Sequence, residues 1–412
     1  MKVDGFKLEL LNLHELDIAK NCIHCGLCLP NCPTYSLTKN EISSPRGRIN
    51  LIREANESKI LSKEFLYEIN FCLDCQACET VCPAGIKYGK LIERARNYSS
   101  NLESNILKKF FKKVILFFTI ENRISFLLLS KVSRFLQQIF IFKLLSNLFS
   151  KLLLFPKLSQ FSFSQVNEEF YPAKVKKRFS VALQTGCVMD IAFSKVHIDT
   201  IEILQQQGCD VYVPKNQGCC GSIHGHNGEL ATSHNMAEKL KLNFDIEKYD
   251  AIITNSAGCG AFMKNYSENF NANEFELFSN KVKDLSEFLF EINFISPPKQ
   301  INQKVTYHDP CHLAHTQKIT NQPREIIKKL NGVKFVELNE ANWCCGSAGI
   351  YNITHFDDSM KILDRKISNI SATNADYCVT SNPGCLIQLD YGLKDNQTKT
   401  IHIASLIRMG YD

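Results

Sequence analysis

Two cysteine-rich segments near the start of the chain have the same spacing of four cysteines and a proline. Residues 22–33 read CIHCGLCLPNCP and residues 72–83 read CLDCQACETVCP. Both follow the spacing C-x2-C-x2-C-x3-C-P, which is typical of loops that bind [4Fe–4S] clusters. Three thiolates at three-residue intervals surround one face of a cubane, and the chain carries the fourth cysteine to the other cluster. The spacing therefore predicts two [4Fe–4S] clusters with exchanged fourth ligands.

The predicted ligands form two sets of four cysteines. The first N-terminal set is Cys22, Cys25, Cys28 and Cys82. The second N-terminal set is Cys72, Cys75, Cys78 and Cys32. Zinc knuckles are the alternative, but zinc sites use two pairs of cysteines, or pairs with histidine, rather than four closely spaced cysteines before a proline. We therefore interpret both segments as iron–sulfur motifs.

Further cysteines form an internal repeat in the C-terminal half. The first-half set is Cys187, Cys219, Cys220 and Cys259, and the second-half set is Cys311, Cys344, Cys345 and Cys385. Matching cysteines are 124 to 126 residues apart. Such a regular period indicates two copies of one supersecondary unit. These eight residues are candidates for a third metal centre, either one per half or one shared between the halves; packing of the adjacent Cys-Cys pairs as small hydrophobic residues is the alternative.

Strand-like runs precede most of these cysteines, and helical patterns follow them. Examples are FSVALQTGC at 179–187 and KVTYHDPC at 304–311. Alternating strands and helices indicate α/β units with largely parallel sheets, which bind ligands at the carboxyl ends of their strands. Cys209 and Cys378 lie inside strand-like runs without a repeat partner, and we expect them in the core.

Charged and titratable residues near the cysteines leave alternatives open. Arg46 and Arg48 lie at the start of a predicted helix in SPRGRINLIREANESKI. They lie either beside a cluster or in solvent as solvated charges, and we favour the solvated position. Five histidines are either neighbours of metal ligands or plain loop residues: His224, His226, His308, His312 and His315.

The composition of the whole chain favours metal chemistry over disulfide bonding. It has 412 residues, 18 cysteines and an N-terminus without the apolar core of a secretory signal. Because a reducing compartment disfavours disulfides, we expect a cytoplasmic protein whose cysteines bind metal.

Residues 105–160 form a basic amphipathic segment. They contain eight lysines and two arginines against one acid, Glu121, and no uncharged run exceeds the eight residues 135–142. A membrane-spanning helix needs about 18 apolar residues, so this segment is not expected to span a bilayer. Lys, Phe and Leu in such a pattern favour peripheral contact with a membrane or with a partner chain; packing inside the protein is the alternative, and a nucleic-acid reader motif is lacking.

Taken together, these motifs resemble the iron–sulfur subunit of glycolate oxidase (glycolate dehydrogenase). The resemblance rests on the two ferredoxin motifs, the SPRGRI segment between them, and the stretches NSAGCGAF, HDPCHLAHTQ and CCGSAG. It implies an electron-transfer subunit without a substrate-oxidising site of its own. It also implies a partner subunit, an FAD-binding 2-hydroxy acid oxidase that oxidises glycolate to glyoxylate, and a quinone or another membrane acceptor.

Related iron–sulfur subunits are alternatives to this function. They include those of lactate and anaerobic glycerol-3-phosphate dehydrogenases, and heterodisulfide-reductase-like subunits with redox chemistry at the Cys-Cys-Gly site. Many relatives of the last kind end each unit with C-x-x-C, whereas here Phe262 and Gln388 stand in place of the second cysteine. The missing fifth thiolate disfavours that alternative.

The predicted architecture is multidomain. We expect a mostly α-helical domain with two [4Fe–4S] clusters over 1–100, a basic helical linker over 101–177, and two repeated α/β cysteine-rich domains over 178–296 and 297–412.

Overall fold

The computed structural model describes residues 13–58, 61–101, 121–138, 154 and 156–412. The N-terminal part consists of short helices joined by the two cysteine loops. These helices are α1 (Leu13–Lys20), α2 (Pro33–Thr38), α3 (Pro45–Ser58), α4 (Lys63–Phe71), α5 (Ala77–Thr80) and α6 (Tyr88–Asn101), with a 3-10 turn at Glu41–Ser43.

Local sequence signals explain how these helices begin and how they pack. Helix α3 starts at Pro45, whose fixed φ suits the first helical position. The side chain of Ser62 caps α4 by accepting a hydrogen bond from the backbone N–H of Phe65 at 3.0 Å. Ile52 of α3 and Leu91 of α6 are fully buried in a common core that holds the two cysteine loops in place.

Among the described residues, two further helices lie between the N-terminal part and the first full strand of the sheet. They are α7 (Arg123–Gln138) and α8 (Phe163–Val166). Much of the basic segment, residues 102–120, 139–153 and 155, lies outside the described residues. Among the helices of the described residues, none combines the length and the hydrophobicity needed to cross a bilayer.

The first sheet has five strands in the order β1-β3-β2-β4-β5. Its strands are β1 (Phe170–Tyr171), β2 (Phe179–Gln184), β3 (Cys209–Tyr212), β4 (Ala251–Thr254) and β5 (Val282–Asp284). Strand β1 falls within the predicted linker and pairs antiparallel with β3, whereas the other pairs are parallel. In register, Val181 of β2 lies opposite both Val211 of β3 and Ala251 of β4.

The second sheet has four parallel strands in the order β7-β6-β8-β9. Its strands are β6 (Lys304–Tyr307), β7 (Lys334–Phe335), β8 (Tyr377–Thr380) and β9 (Lys399–His402). Val305 of β6 lies opposite Phe335 of β7 and Tyr377 of β8. The order matches that of β3-β2-β4-β5, so the prediction of a duplicated α/β unit is confirmed.

Helices surround both sheets. Those of the first half are α9 (Val188–Ala192), α10 (Ser194–Gln206), α11 (Ser222–His226), α12 (Leu230–Lys241), α13 (Ala257–Lys264), α14 (Tyr266–Phe270), α15 (Glu276–Lys281) and α16 (Leu285–Glu291). Those of the second half are a π-helical turn at His312–Thr316, then α17 (Asn321–Lys328), α18 (Tyr351–Thr354), α19 (Phe356–Ala372), α20 (Pro383–Gly392) and α21 (Ile403–Arg408). Short 3-10 turns cover Ile246–Lys248 and Asn273–Phe275.

The two halves share one hydrophobic core. Helix α10 of the first half packs on α21 of the second, and α16 packs on α17 in the corresponding way. Buried side chains from both sheets, including Val181 and Val305, belong to the same cluster. The halves are therefore joined back to back, which fixes the position of one set of cysteines relative to the other.

Candidate iron–sulfur sites

The two N-terminal cysteine loops have left-handed residues at matching positions. His24 and Gly26 in the first loop have φ values of 53° and 85°, and Asp74 and Gln76, fifty residues later, have φ values of 53° and 59°. These left-handed conformations are rare outside glycine and mark a backbone that the surrounding structure holds in place. The duplicated cysteine spacing is thus accompanied by a duplicated pair of left-handed positions.

Each predicted N-terminal set lines a cavity of its own. All four cysteines of the first set, including Cys82, line one cavity that is open to solvent. All four of the second set, including Cys32, line a neighbouring open cavity. Cys78, Pro45 and Tyr88 contribute to both cavities. The fold therefore brings the fourth cysteine of each motif to the other motif's loop.

The thiols in these cavities suit a cationic metal centre. Burial raises the pKa of the Cys28 thiol to about 11 and that of Cys78 well above its ordinary value. Alone, such thiols remain protonated, and the thiolate form needs a nearby positive charge. Iron supplies that charge, and binding would release the protons. The donor set and its surroundings thus fit an iron–sulfur cluster.

The two arginines of the SPRGRI segment line different cavities. Arg46 lines the first cavity, where it donates to the carbonyl oxygen of His24 at 2.8 Å and pairs with Glu41. Arg48 lines the second cavity and is fully buried. The expectation of solvated charges is therefore wrong for Arg48, because the buried carboxylate of Glu68 and the hydroxyl of Thr34 replace water around its guanidinium.

In the first half, the four cysteines gather at the carboxyl ends of the strands. Cys187 follows β2 and its Sγ lies 3.7 Å from that of Cys219. Cys220 contacts both Cys219 and Cys259, which follows β4. Hydrogen bonds from the Cys187 and Cys220 thiols lower the pKa of Cys219, so one thiolate is favoured within the set.

The second half repeats this arrangement. The Sγ atoms of Cys345 and Cys385 are 3.5 Å apart, and Cys344 contacts both Cys311 and Cys345. Thiol hydrogen bonds from Cys344 and Cys385 lower the pKa of Cys345. In each half, the cysteines thus contact other members of their own set.

The glycine of each Cys-Cys-Gly motif is required by the backbone. Gly221 and Gly346 have φ values of 82° and 91°. A Cβ atom at either position would lie within 2.8 Å of the carbonyl oxygen of Ser233 or Ser359, respectively. Glycine alone fits there, and its N–H points at the first sulfur of the pair, for example at 3.4 Å from Gly346 to Cys344.

Cys209 and Cys378 are fully buried in strands β3 and β8, which agrees with the expectation that they belong to the core.

The histidines lie at two kinds of position. His308 is buried beside the thiol of Cys345, and burial lowers its pKa. His312 donates from Nε2 to the carbonyl oxygen of Asp74 at 2.8 Å, and burial lowers its pKa to about 4. His315 accepts a hydrogen bond at Nδ1 from the Thr80 hydroxyl at 2.9 Å. These residues either face the second-half set or join that half to the N-terminal part.

This junction brings two cysteine sets together. Cys75 and Cys311 pack against one hydrophobic cluster that contains Phe71 and Trp343. Burial, followed by the proximity of Cys311, raises the pKa of Cys75 well above its ordinary value. The second N-terminal set and the second-half set are thus neighbours, a relationship that the sequence analysis did not anticipate.

A buried ionic network at the same junction was also missed. His226 of the first half lies 2.7 Å from Glu93 and 3.2 Å from Asp74 of the N-terminal part, and Arg96 lies 3.8 Å from Asp74. Burial lowers the pKa of His226, but its hydrogen bonds to the two carboxylates outweigh burial and raise the pKa to about 10. Nothing in the local sequence around these residues marks the contact, since His226 and Glu93 are 133 residues apart.

Comparisons with known proteins agree with these sites. The 4Fe-4S dicluster domain family matches residues 18–86, and the cysteine-rich domain family matches twice, over 181–264 and 305–390. A probable glycolate oxidase iron–sulfur subunit of Bacillus subtilis is 35% identical, over 94% of this chain and 93% of its own length. The chain belongs to the family of glycolate oxidase iron–sulfur subunits.

Other members and relatives extend the similarity. The glycolate oxidase iron–sulfur subunit of Escherichia coli is 27% identical, over 90% of each chain. Lactate utilization protein A of Oceanobacillus iheyensis is 27% identical over 55% of this chain and 96% of its own length. As a member of this family, the chain is an electron-transfer subunit that carries [4Fe–4S] clusters.

Proposed function

We propose that this chain passes electrons from a flavoprotein subunit, which binds FAD and oxidises glycolate to glyoxylate, toward a quinone-type acceptor. Oxidation of one glycolate releases two electrons and two protons, and a flavin can accept electrons as a pair and release them singly. Substrate oxidation then takes place on the partner subunit, and this chain transfers the electrons from the flavin to the acceptor.

The observation that carries the proposal is the continuous row of cysteine sets. The cavities of the two N-terminal sets share Cys78, and Cys75 of the second N-terminal set adjoins Cys311 of the second-half set. Electron tunnelling slows steeply with distance, so neighbouring centres favour fast single-electron steps. The row supports a path from the first N-terminal set through the second to the C-terminal half.

The ligand assignment is part of this proposal. Cys22, Cys25, Cys28 and Cys82 hold one [4Fe–4S] cluster, and Cys72, Cys75, Cys78 and Cys32 hold the other. The cavity linings support this exchange of fourth ligands. We also propose a further iron–sulfur centre in the C-terminal half, where the contacts within the second-half set support a site of four thiolates.

Peripheral membrane contact is proposed for helix α7. Ile124, Leu128 and Phe135 expose 73%, 58% and 64% of their surface, and Arg123, Lys131 and Arg134 give the helix a positive charge. Apolar side chains with basic neighbours bind the interface of membranes that contain anionic lipid. This contact would place the chain on the inner face of the cell membrane, close to a quinone.

A lactate-oxidising complex is the second candidate. The similarity to lactate utilization protein A covers 55% of this chain and supports it. Both candidates use a 2-hydroxy acid, and the substrate would be chosen by the partner subunit.

Purification with the partner subunit tests the proposal. The complex, prepared without oxygen, should reduce a soluble quinone with glycolate, and the flavoprotein alone should reduce it poorly. Faster reduction with lactate would favour the second candidate. Equal quinone reduction with and without this chain would refute the electron-transfer role.

A further inference from the structure

The second-half set has a neighbour that the first-half set lacks. His308 follows β6, and its backbone N–H donates to the carbonyl oxygen of Val379 in β8 at 2.9 Å, which extends the ladder by one residue. This pairing directs the fully buried imidazole toward the cysteines. The repeat offset of 124 residues places Gln184 at the equivalent position of the first half, where its side chain accepts a hydrogen bond from Thr254.

The geometry around His308 is that of a ligand. A ring nitrogen of His308 and the Sγ atoms of Cys345 and Cys385 all lie within 4.8 Å of one another. Nitrogen and sulfur atoms that bind one metal ion at about 2.0–2.3 Å lie within about 4.6 Å of each other. A small adjustment of side chains is therefore sufficient for all three to bind the same ion.

The hydrogen bonding of His308 also indicates a missing ligand. Among the described residues, neither ring nitrogen of the fully buried His308 has an oxygen or nitrogen partner, and the polar neighbour of the ring is the thiol of Cys345. A buried polar group without a partner is unfavourable, and such groups mark strain, function or an absent ion. Metal binding would satisfy one nitrogen of the ring.

The second-half set lacks the fifth thiolate that a C-x-x-C ending would supply, so one ligand position is open to a nitrogen of His308. Gln388 stands where a C-x-x-C ending would place a second cysteine. Its amide accepts from Asn352 at 3.0 Å and donates to Ser359 at 2.9 Å, so both ends are in use. His308, by contrast, lies next to the second-half set and has a ring nitrogen available as a fifth ligand.

We propose that His308 supplies a nitrogen ligand to iron at the second-half set, so that this site has four thiolates and one imidazole while the first-half site has four thiolates alone. This inference rests on the proposed iron–sulfur centre in the C-terminal half. Compared with a site of five thiolates, a neutral imidazole as the fifth ligand leaves one negative charge fewer in the ligand set, and imidazole in place of thiolate raises the reduction potential of Rieske centres.

The second-half site would therefore be easier to reduce than a five-thiolate site, which favours it as an electron acceptor. Single electrons that come from the reduced flavin of the partner subunit would move from the second N-terminal set to the second-half site. No bond is made or broken in this step; the donor set gains one unit of positive charge and the acceptor site loses one. Cys75 and Cys311 pack against the same hydrophobic cluster, and their proximity provides the short path.

Pulsed EPR on the full chain tests this ligand. The chain is produced without oxygen, once with natural histidine and once with ¹⁵N-histidine, and the second-half signal is identified by its loss in Cys385→Ala. We expect a histidine nitrogen coupling on that signal, which changes to the ¹⁵N pattern in the labelled chain. This measurement needs no change at His308.

Variants then identify the residue. His308→Cys should retain the second-half iron and lose the nitrogen coupling, whereas His312→Gln, a buried neighbour that already bonds to Asp74, should retain both. A second-half signal without histidine coupling, a coupling that survives His308→Cys, or no iron beyond the N-terminal sets would each overturn the inference. Iron content of the N-terminal sets and quinone reduction with glycolate, measured on the same samples, test the proposed function separately.

Discussion

Arg48 and Glu68 form an ion pair of 3.0 Å in the interior of the N-terminal part, directly beside the second N-terminal set. The guanidinium is fully buried and also donates to Thr34, whose hydroxyl lies 3.2 Å from the Sγ of Cys32. The pair therefore connects helices α3 and α4 to one of the proposed cluster ligands. Removal of this ion pair should lower the stability of the N-terminal part and perturb the cluster proposed at the second N-terminal set.

Replacement of Arg48 by methionine should destabilise the N-terminal part strongly. The carboxylate of Glu68 would remain buried without its partner, and breaking one side of a buried pair costs about 3–5 kcal/mol. The double variant Arg48→Met/Glu68→Leu should recover much of this loss. The urea midpoint for loss of cluster absorbance measures the effect, with Arg53→Met on the same helix as the control. Equal midpoints for the Arg48 variant and the wild type would contradict the account.

The exchange of fourth ligands predicts which cluster each cysteine affects. Cys82→Ala should disturb the cluster held by Cys22, Cys25 and Cys28, although Cys82 lies in the second motif. Cys32→Ala should disturb the other cluster. Iron analysis and EPR should show that each variant keeps one intact [4Fe–4S] signal, a different one in each case. If Cys82→Ala altered the signal that Cys75→Ala removes, the exchange would be refuted.

The sequence allowed accurate prediction of features that depend on local spacing. The two cluster motifs, the α/β repeat and the core positions of Cys209 and Cys378 follow from residue patterns within short segments. The proximity of Cys75 to Cys311 and the pair of His226 with Glu93 depend on how separate domains dock, which local spacing does not reveal.

The burial of Arg48 could not be inferred from its own segment. A lone arginine at a helix start is normally solvated, and only the approach of Glu68 from another helix makes its burial favourable. The imidazole of His308 is a similar case, since its cysteine neighbours Cys345 and Cys385 are more than 35 residues away in the chain.

Helix α7 should bind vesicles that contain anionic lipid. Phe135→Asp should weaken binding because it puts a charge into the apolar face, and Lys131→Glu should weaken it in a salt-dependent way. Co-sedimentation with vesicles of phosphatidylglycerol and phosphatidylcholine measures both effects. Leu242→Asp, at an exposed position in the first half, is the control. Binding that is unchanged in both α7 variants would argue for a different surface.

Two buried histidines between the halves should make the C-terminal half sensitive to acid. Burial lowers the pKa of His197 to about 3 and that of His402 to about 4, against an ordinary value of 6.5. Between the folded and unfolded values the unfolded chain binds more protons, so this contribution to stability is complete above about pH 6.5 and is lost as the pH falls toward 4.

The variant His402→Gln should reduce this acid sensitivity. Glutamine can still donate to the carbonyl oxygen of Asn255, which His402 Nε2 contacts at 3.0 Å, but it does not titrate. The pH dependence of the free energy of unfolding should decrease by up to about 1.4 kcal/mol per pH unit in this window. Denaturation series between about pH 7 and about pH 5 measure the slope, and the half-exposed His234→Gln is the control. A slope identical to that of the wild type would contradict the prediction.

The central claim is that substrate electrons enter this chain at its [4Fe–4S] clusters. The direct test mixes the anaerobic complex of this chain and the flavoprotein subunit with one equivalent of glycolate, then counts EPR spins after freezing. Because one glycolate yields two electrons, the account predicts up to two reduced one-electron iron–sulfur centres per complex, with the flavin reoxidised. A fully reduced flavin beside iron–sulfur centres that stay oxidised, and that dithionite can still reduce, would contradict it.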